Sequence, residues 1–189
     1  ILFRADHTLV HDNLYWNFPI FHFFATQLMQ GQLPLWDLYS SGGQPFYPNL
    51  VQIRLLEPLA ILVVLFGKSF TRDTTLLFHW TRILESLVMV TGAYLVLRRF
   101  SANSLVRVAL IPLLLFSSFF LGSFHQDGIL NQFLWAPWLL FFLLRLVFNR
   151  DFRWGNWVGL GFCLGINFQS YFFVGSSLLF VFFWIAVAL

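Results

Sequence analysis

A lone acid heads a polar segment in a chain that is otherwise apolar. Asp12 opens the stretch DNLYWNFPIFHFFATQLMQGQLPLWDLYSSGGQPFYPN, residues 12–49. A carboxylate held at a membrane surface can ligate a metal ion or act as a general base. Asp12 also precedes an apolar helical stretch, and aspartate is a favoured helix N-cap. The two readings are compatible and both stand. A second acid, Asp127, follows His125 and Gln126, with Asn131 and Gln132 one turn into the next apolar segment. Polar groups just inside a span are costly unless they face a cavity or a partner. His125 and Asp127 can share a metal ion, or Asp127 can cap the helix that follows.

His79, Arg82, Glu85 and Ser86 form a third group. Their spacing puts His79, Arg82 and Ser86 on one helical face, with Glu85 beside it. Arg82 lies roughly 12 Å down that helix, where a guanidinium needs an anion. Glu85 itself can supply it. So can a phosphate at the mouth of a cavity, whose geometry a guanidinium matches. Arg54 and Glu57 repeat the pairing on a smaller scale. Gly42, Gly43, Pro45 and Pro48 are turn formers that would hold Gln44, Tyr47 and Asn49 in a fixed loop. Trp36 is expected to anchor that loop at an interface.

A membrane helix bundle is expected to position these residues. The chain has 189 residues, 59% hydrophobic, 21% aromatic and only 10% charged, against about 25% charged in ordinary soluble domains. Its mean hydropathy is +0.75, so an integral membrane protein of all-α class is expected. The 26 Phe suit lipid-facing and core positions, and the 8 Trp suit the interface. A net charge of +3 with no basic tail argues against nucleic acid as a partner. Cys163, the single cysteine, sits in an apolar run and reads as packing. The chain opens on ILFR and stops within VFFWIAVAL, which predicts a fragment of something longer.

Residues 74–97, 105–123 and 129–148 each read as a span, and the apolar stretch 154–189 as two, broken near Asn167–Tyr171. Residues 1–73 are expected to form an external loop, and 74–189 a transmembrane bundle of about five spans. Residues 13–30 predict a helix on the membrane surface, striped by Leu14, Phe18, Phe21, Ala25 and Leu28. Residues 56–67 are too short to cross and predict a re-entrant or interfacial helix, with Pro58 in its first turn. If they do not cross, Arg98, Arg99 and Arg107 share a side with Arg150 and Arg153. The positive-inside rule makes that side the cytoplasm. Asp12, the GGQPFYPN turn and His125–Asp127 then face outside.

Taken together, several motifs resemble the first external loop of the GT-C superfamily of membrane glycosyltransferases, closest to the bacterial YfhO-like membrane proteins. They are D-x-x-x-x-x-x-P from Asp12 to Pro19, G-Q-L-P-L-W-D from Gly31 to Asp37, G-G-Q-P-F from Gly42 to Phe46, and N-L-V-Q from Asn49 to Gln52. The likeness covers residues 12–58, and the H-x-x-x-x-x-N-x-x-x-W-x-P run from His125 to Pro137 is also similar. The resemblance implies a polytopic enzyme of the bacterial inner membrane, its site facing outside, that transfers a sugar from a polyprenyl-phosphate donor. It implies Asp12 as the essential acid and Asp127 as a second catalytic acid, both able to hold a divalent cation, Mg or Mn. His125, Arg82, His79, Gln44, Asn49 and Arg54 are then the substrate-binding candidates. Besides the donor, membrane lipids are the implied partners. Two alternatives stay open: a transporter, and a structural or accessory subunit of a larger membrane complex.

Overall fold

The computed structural model describes residues 17–37, 43–46, 48, 58–101, 103–115 and 134–167, without the side chains of 113–115 and 167. The described residues are mostly helical, in keeping with an all-α class. They form helices α1 (Phe18–Met29), α2 (Pro58–Gly67), α3 (Thr74–Phe100), α4 (Ser104–Leu115), α5 (Ala136–Val147) and α6 (Trp154–Asn167). Their one β feature is an antiparallel pair, β1 (Trp36–Asp37) with β2 (Gln44–Pro45). The chain divides into two compact units at Glu85–Ser86, inside α3.

In the first unit, α1 carries Pro19 in its first turn, where a missing N–H leaves no bond unmade. The helix stops in a Schellman motif. Gly31, at φ +77°, donates its N–H to Leu28 O, and Gln32 donates to Gln27 O. Glycine adopts this left-handed conformation without steric cost. The chain then pairs with itself: Trp36 stands opposite Pro45 and Asp37 opposite Gln44, while Phe46 N–H donates to Leu35 O at 2.9 Å. Gly43, at φ +104°, lies against the Trp36 indole, whose Nε1 would sit 3.1 Å from an added Cβ. Trp36–Asp37 of GQLPLWD and Gln44–Pro45 of GGQPF are therefore parts of one paired structure.

That pair delivers Phe46 into the core. Phe46 is 1% exposed and its ring centroid is 4.7 Å from that of Phe23. Phe21, Phe24 and Ala25 of α1, Ala60, Val63 and Val64 of α2, and Leu77 and Phe78 of α3 complete the cluster. Phe24 falls outside the expected α1 stripe, yet it is buried because α1 is covered by more than one neighbour. Each such phenylalanine contributes roughly 1.5–3 kcal/mol on burial. His22 Nδ1 and Thr74 Oγ1, 2.6 Å apart, tie α1 to the start of α3.

At ~1.5 Å per residue, the 10 residues of α2 span about half of a ~30 Å hydrocarbon layer. The described part of the 56–67 run is thus a short apolar helix. Asp73 caps α3, accepting from Thr75 N at 2.9 Å and Leu76 N at 3.4 Å. With 27 residues, α3 is the one described helix long and apolar enough to cross a membrane. Arg98 and Arg99 occupy its last turn.

The second unit is built on the rest of α3. Trp138 Nε1 of α5 donates to the backbone oxygen of Val88 at 2.8 Å. A Cβ added to Gly92 would lie 2.6 Å from Trp138 Cδ1 and 3.1 Å from Pro137 Cβ. The glycine thus permits a close approach of the two helices. Farther along, Leu95, Arg98 and Arg99 of α3 and Phe141, Leu144, Arg145 and Asn149 line one pocket. Contact positions advance together on both helices, so α3 and α5 run parallel. α6 folds back on α5, with Trp135 against Phe162 and Phe142 closely opposed to Gly159. Leu139, Leu143, Leu146, Leu160 and Cys163 form the core of this hairpin. The packing role expected for Cys163 is what the structure gives it. Asn103 caps α4 through Leu105 N at 2.9 Å.

Candidate functional site

Asp12, Asn49, Arg54, His125 and Asp127 lie outside the described residues. Arg82, His79 and Gln44 are described. Gln44 belongs to β2, where its register partner is the buried Asp37. His79 and Arg82 belong to α3, in its N-terminal half. Asp73 caps this helix, and Thr81 Oγ1 donates to Leu77 O at 2.9 Å, which satisfies the buried hydroxyl within the helix.

Arg82 is 5% exposed and Glu85 2% exposed. Their side chains form an ion pair one turn apart, Nη1 to Oε2 at 2.9 Å. The Arg82 guanidinium also lies over the Phe78 ring, 5.2 Å from its centroid. His79 is half-buried, its ring 6.1 Å from that of Phe78. The anion that Arg82 requires is thus supplied within its own helix. The pair is neutral as a whole, which lets both groups sit in an apolar setting. Any anionic ligand would approach a guanidinium already held in position by a carboxylate and a ring. Among the described residues, no group of three or more His, Cys, Asp or Glu could hold a metal ion.

A second polar site was not foreseen. The last turns of α3 and α5 enclose a pocket of about 440 Å³, with Arg98, Arg99, Arg145 and Asn149 on its polar side. Leu95, Phe141 and Leu144 form the apolar side. Arg145 lies over the Phe141 ring, at 5.7 Å, and donates through Nη2 to Asp151 Oδ2. The α5–α6 corner positions that carboxylate. Arg150 takes φ +48°, Asp151 N–H donates to Arg145 O at 3.0 Å, and Asn156 Nδ2 donates to Asp151 O at 2.8 Å. The Arg145 hydrogen bond holds the Asp151 carboxyl below its ordinary pKa, against the opposing effect of desolvation, with Asn156 and Arg153 assisting. Arg98 and Arg99 belong to the arginine cluster that the positive-inside rule places on one side. Arg145, in the last turn of an apolar helix, was the remaining signal. No protein-family model, curated protein or solved structure matches this chain.

Proposed function

We propose that this chain is part of a polytopic membrane glycosyltransferase that uses a polyprenyl-phosphate-linked sugar at the extracytoplasmic face of a bacterial inner membrane. Asp12 is the reacting acid in this reading, with Asp127 and a divalent cation as its implied assistants. The observation that carries it is the joining of two of the motif segments. GQLPLWD and GGQPF pair with each other, and Phe46 seats them against α1. The same core holds Leu77 and Phe78, at the start of the one described helix of membrane-crossing length. A folded polar platform fixed to such a helix is what a transferase working at a membrane surface needs. The exposed apolar residues Leu87, Leu105, Val108, Trp157 and Phe162 support a lipid setting for the helices.

The test uses the full-length protein in bilayer nanodiscs, with radiolabelled polyprenyl-phosphate hexoses and membrane-derived acceptors. Sugar transfer is expected, and Asp12→Asn should abolish it while the protein stays folded. Equal transfer by the variant would remove Asp12 from the mechanism. Absence of transfer by folded wild type across the donors would end the transferase reading. A second reading, an accessory subunit of a membrane complex, is favoured by one observation: Arg82 is countered by Glu85 within its own helix, so this charge requires no substrate.

A further inference from the structure

The arginines at the ends of α3 and α5 have two general explanations. Cations in a last turn offset the helix dipole, by about 0.3–1 kcal/mol each, and arginines collect on the cytoplasmic side of membrane proteins. Both act on each helix separately. Neither calls for arginines from two helices to converge on one cavity, together with an amide and an apolar wall. Here Arg98 and Arg99 come from α3, and Arg145 and Asn149 from the end of α5. Three guanidinium groups border the pocket, and Asp151 is the acid bonded to one of them. Arg153 Nε also approaches Asp151, at 3.5 Å, which further offsets its charge. The balance at this end is positive.

The chemistry of the lining selects the ligand. Guanidinium groups match the oxygens of a phosphate in geometry and charge. Arg145 is held in advance by Phe141 and Asp151, so little of its freedom would be lost on binding. A free phosphate ion would be served by a wholly polar cradle, but this pocket has Leu95, Phe141 and Leu144 along one side. A ligand with a phosphate at one end and hydrocarbon at the other satisfies both surfaces. The cavity volume of about 440 Å³ falls in the range of roughly 300–1,000 Å³ typical of small-molecule clefts.

We propose that the pocket between the C-terminal turns of α3 and α5 binds the phosphate of an anionic phospholipid. Arg98, Arg99 and Arg145 clamp the headgroup, and the acyl chains follow Leu95, Phe141 and Leu144 into the bilayer. The site rests on the membrane placement of α3 in the proposed function, and is independent of sugar transfer. Basic pockets between spans on the cytoplasmic side suit such lipids.

Native mass spectrometry of the full-length protein, released from nanodiscs holding phosphatidylglycerol and phosphatidylcholine in equal amounts, tests the site. Wild type should retain phosphatidylglycerol, and Arg98→Gln/Arg99→Gln should lower retention about tenfold or more. Both arginines are exposed, so the double variant should keep its melting temperature. Arg107→Gln, which removes a charge outside the pocket, should retain the lipid as wild type does. Equal retention of the two lipids, or undiminished retention by the double variant, would overturn the proposal. So would displacement of the lipid by millimolar inorganic phosphate, which would mark a site for the free ion. A protein that fails to stay in the nanodisc contradicts the membrane placement itself, and one that stays but retains no phosphatidylglycerol contradicts only this site.

Discussion

Replacing Glu85 by Met would leave the Arg82 guanidinium buried without its carboxylate. At 2.9 Å the Coulomb attraction of the pair is about 6 kcal/mol for an effective dielectric of ~20. Desolvation of both groups offsets much of that in the intact pair. Removing one partner leaves less to offset the desolvation of the other, and the expected cost is about 3–5 kcal/mol. Arg82→Met should cost a similar amount. The double variant Arg82→Met/Glu85→Met removes both charges from a site where the side chains are 6% and 2% exposed, and should fall within about 1 kcal/mol of wild type or exceed it. Equilibrium unfolding in mixed micelles measures all four proteins and closes the cycle. A Glu85→Met protein within about 0.5 kcal/mol of wild type would show that the buried Arg82 does not depend on this carboxylate. The folded double variant also separates the two roles of Arg82. Undiminished binding of a polyprenyl-phosphate donor would make the pair purely structural.

Gly92→Ala should cost about 1–3 kcal/mol in the same unfolding assay, because its Cβ meets the Trp138 ring. Gly155→Ala, with nothing within 4 Å, should instead be neutral or gain up to about 1 kcal/mol of helix propensity. Phe46→Ala empties a fully buried position and should cost about 3–5 kcal/mol, with limited proteolysis then cutting near the β pair. Asp151 has a folded pKa below its unfolded value of about 3.9, so its contribution is complete above that value. It is lost as pH falls through the lowered folded pKa. The fluorescence of Trp157, which stacks on Phe152, should therefore hold steady from pH 8 to 5 and change in acid. Asp151→Asn should remove that acid step.

Some of this architecture was legible in the residues. Gly31 and Pro34 mark the end of α1, and Gly31 does close it with a left-handed turn. The length of residues 74–97 announced α3, and Arg98 and Arg99 its end. Pro58 and a short apolar run announced α2. The β pair was not legible, because two-residue strands have no periodicity. Its register depends on Gly43 lying against Trp36 and on the burial of Phe46. The Arg82–Glu85 pair was visible from its spacing, but its burial depends on neighbouring elements. The arginine pocket arises only when α3 and α5 lie side by side in the same direction. Gly92, whose missing side chain lets Trp138 approach, has no local signal that names its partner.

The bond from Trp138 to Val88 joins residues fifty positions apart. A chain made at about 5–20 residues per second needs roughly 3–10 s to produce that separation. During that interval the Gly92 flank of α3 has been synthesised but its partner has not. The assembly of this half of the protein is therefore ordered by the ribosome. The half of α3 that docks on α5 waits without that partner until Trp138 has been made.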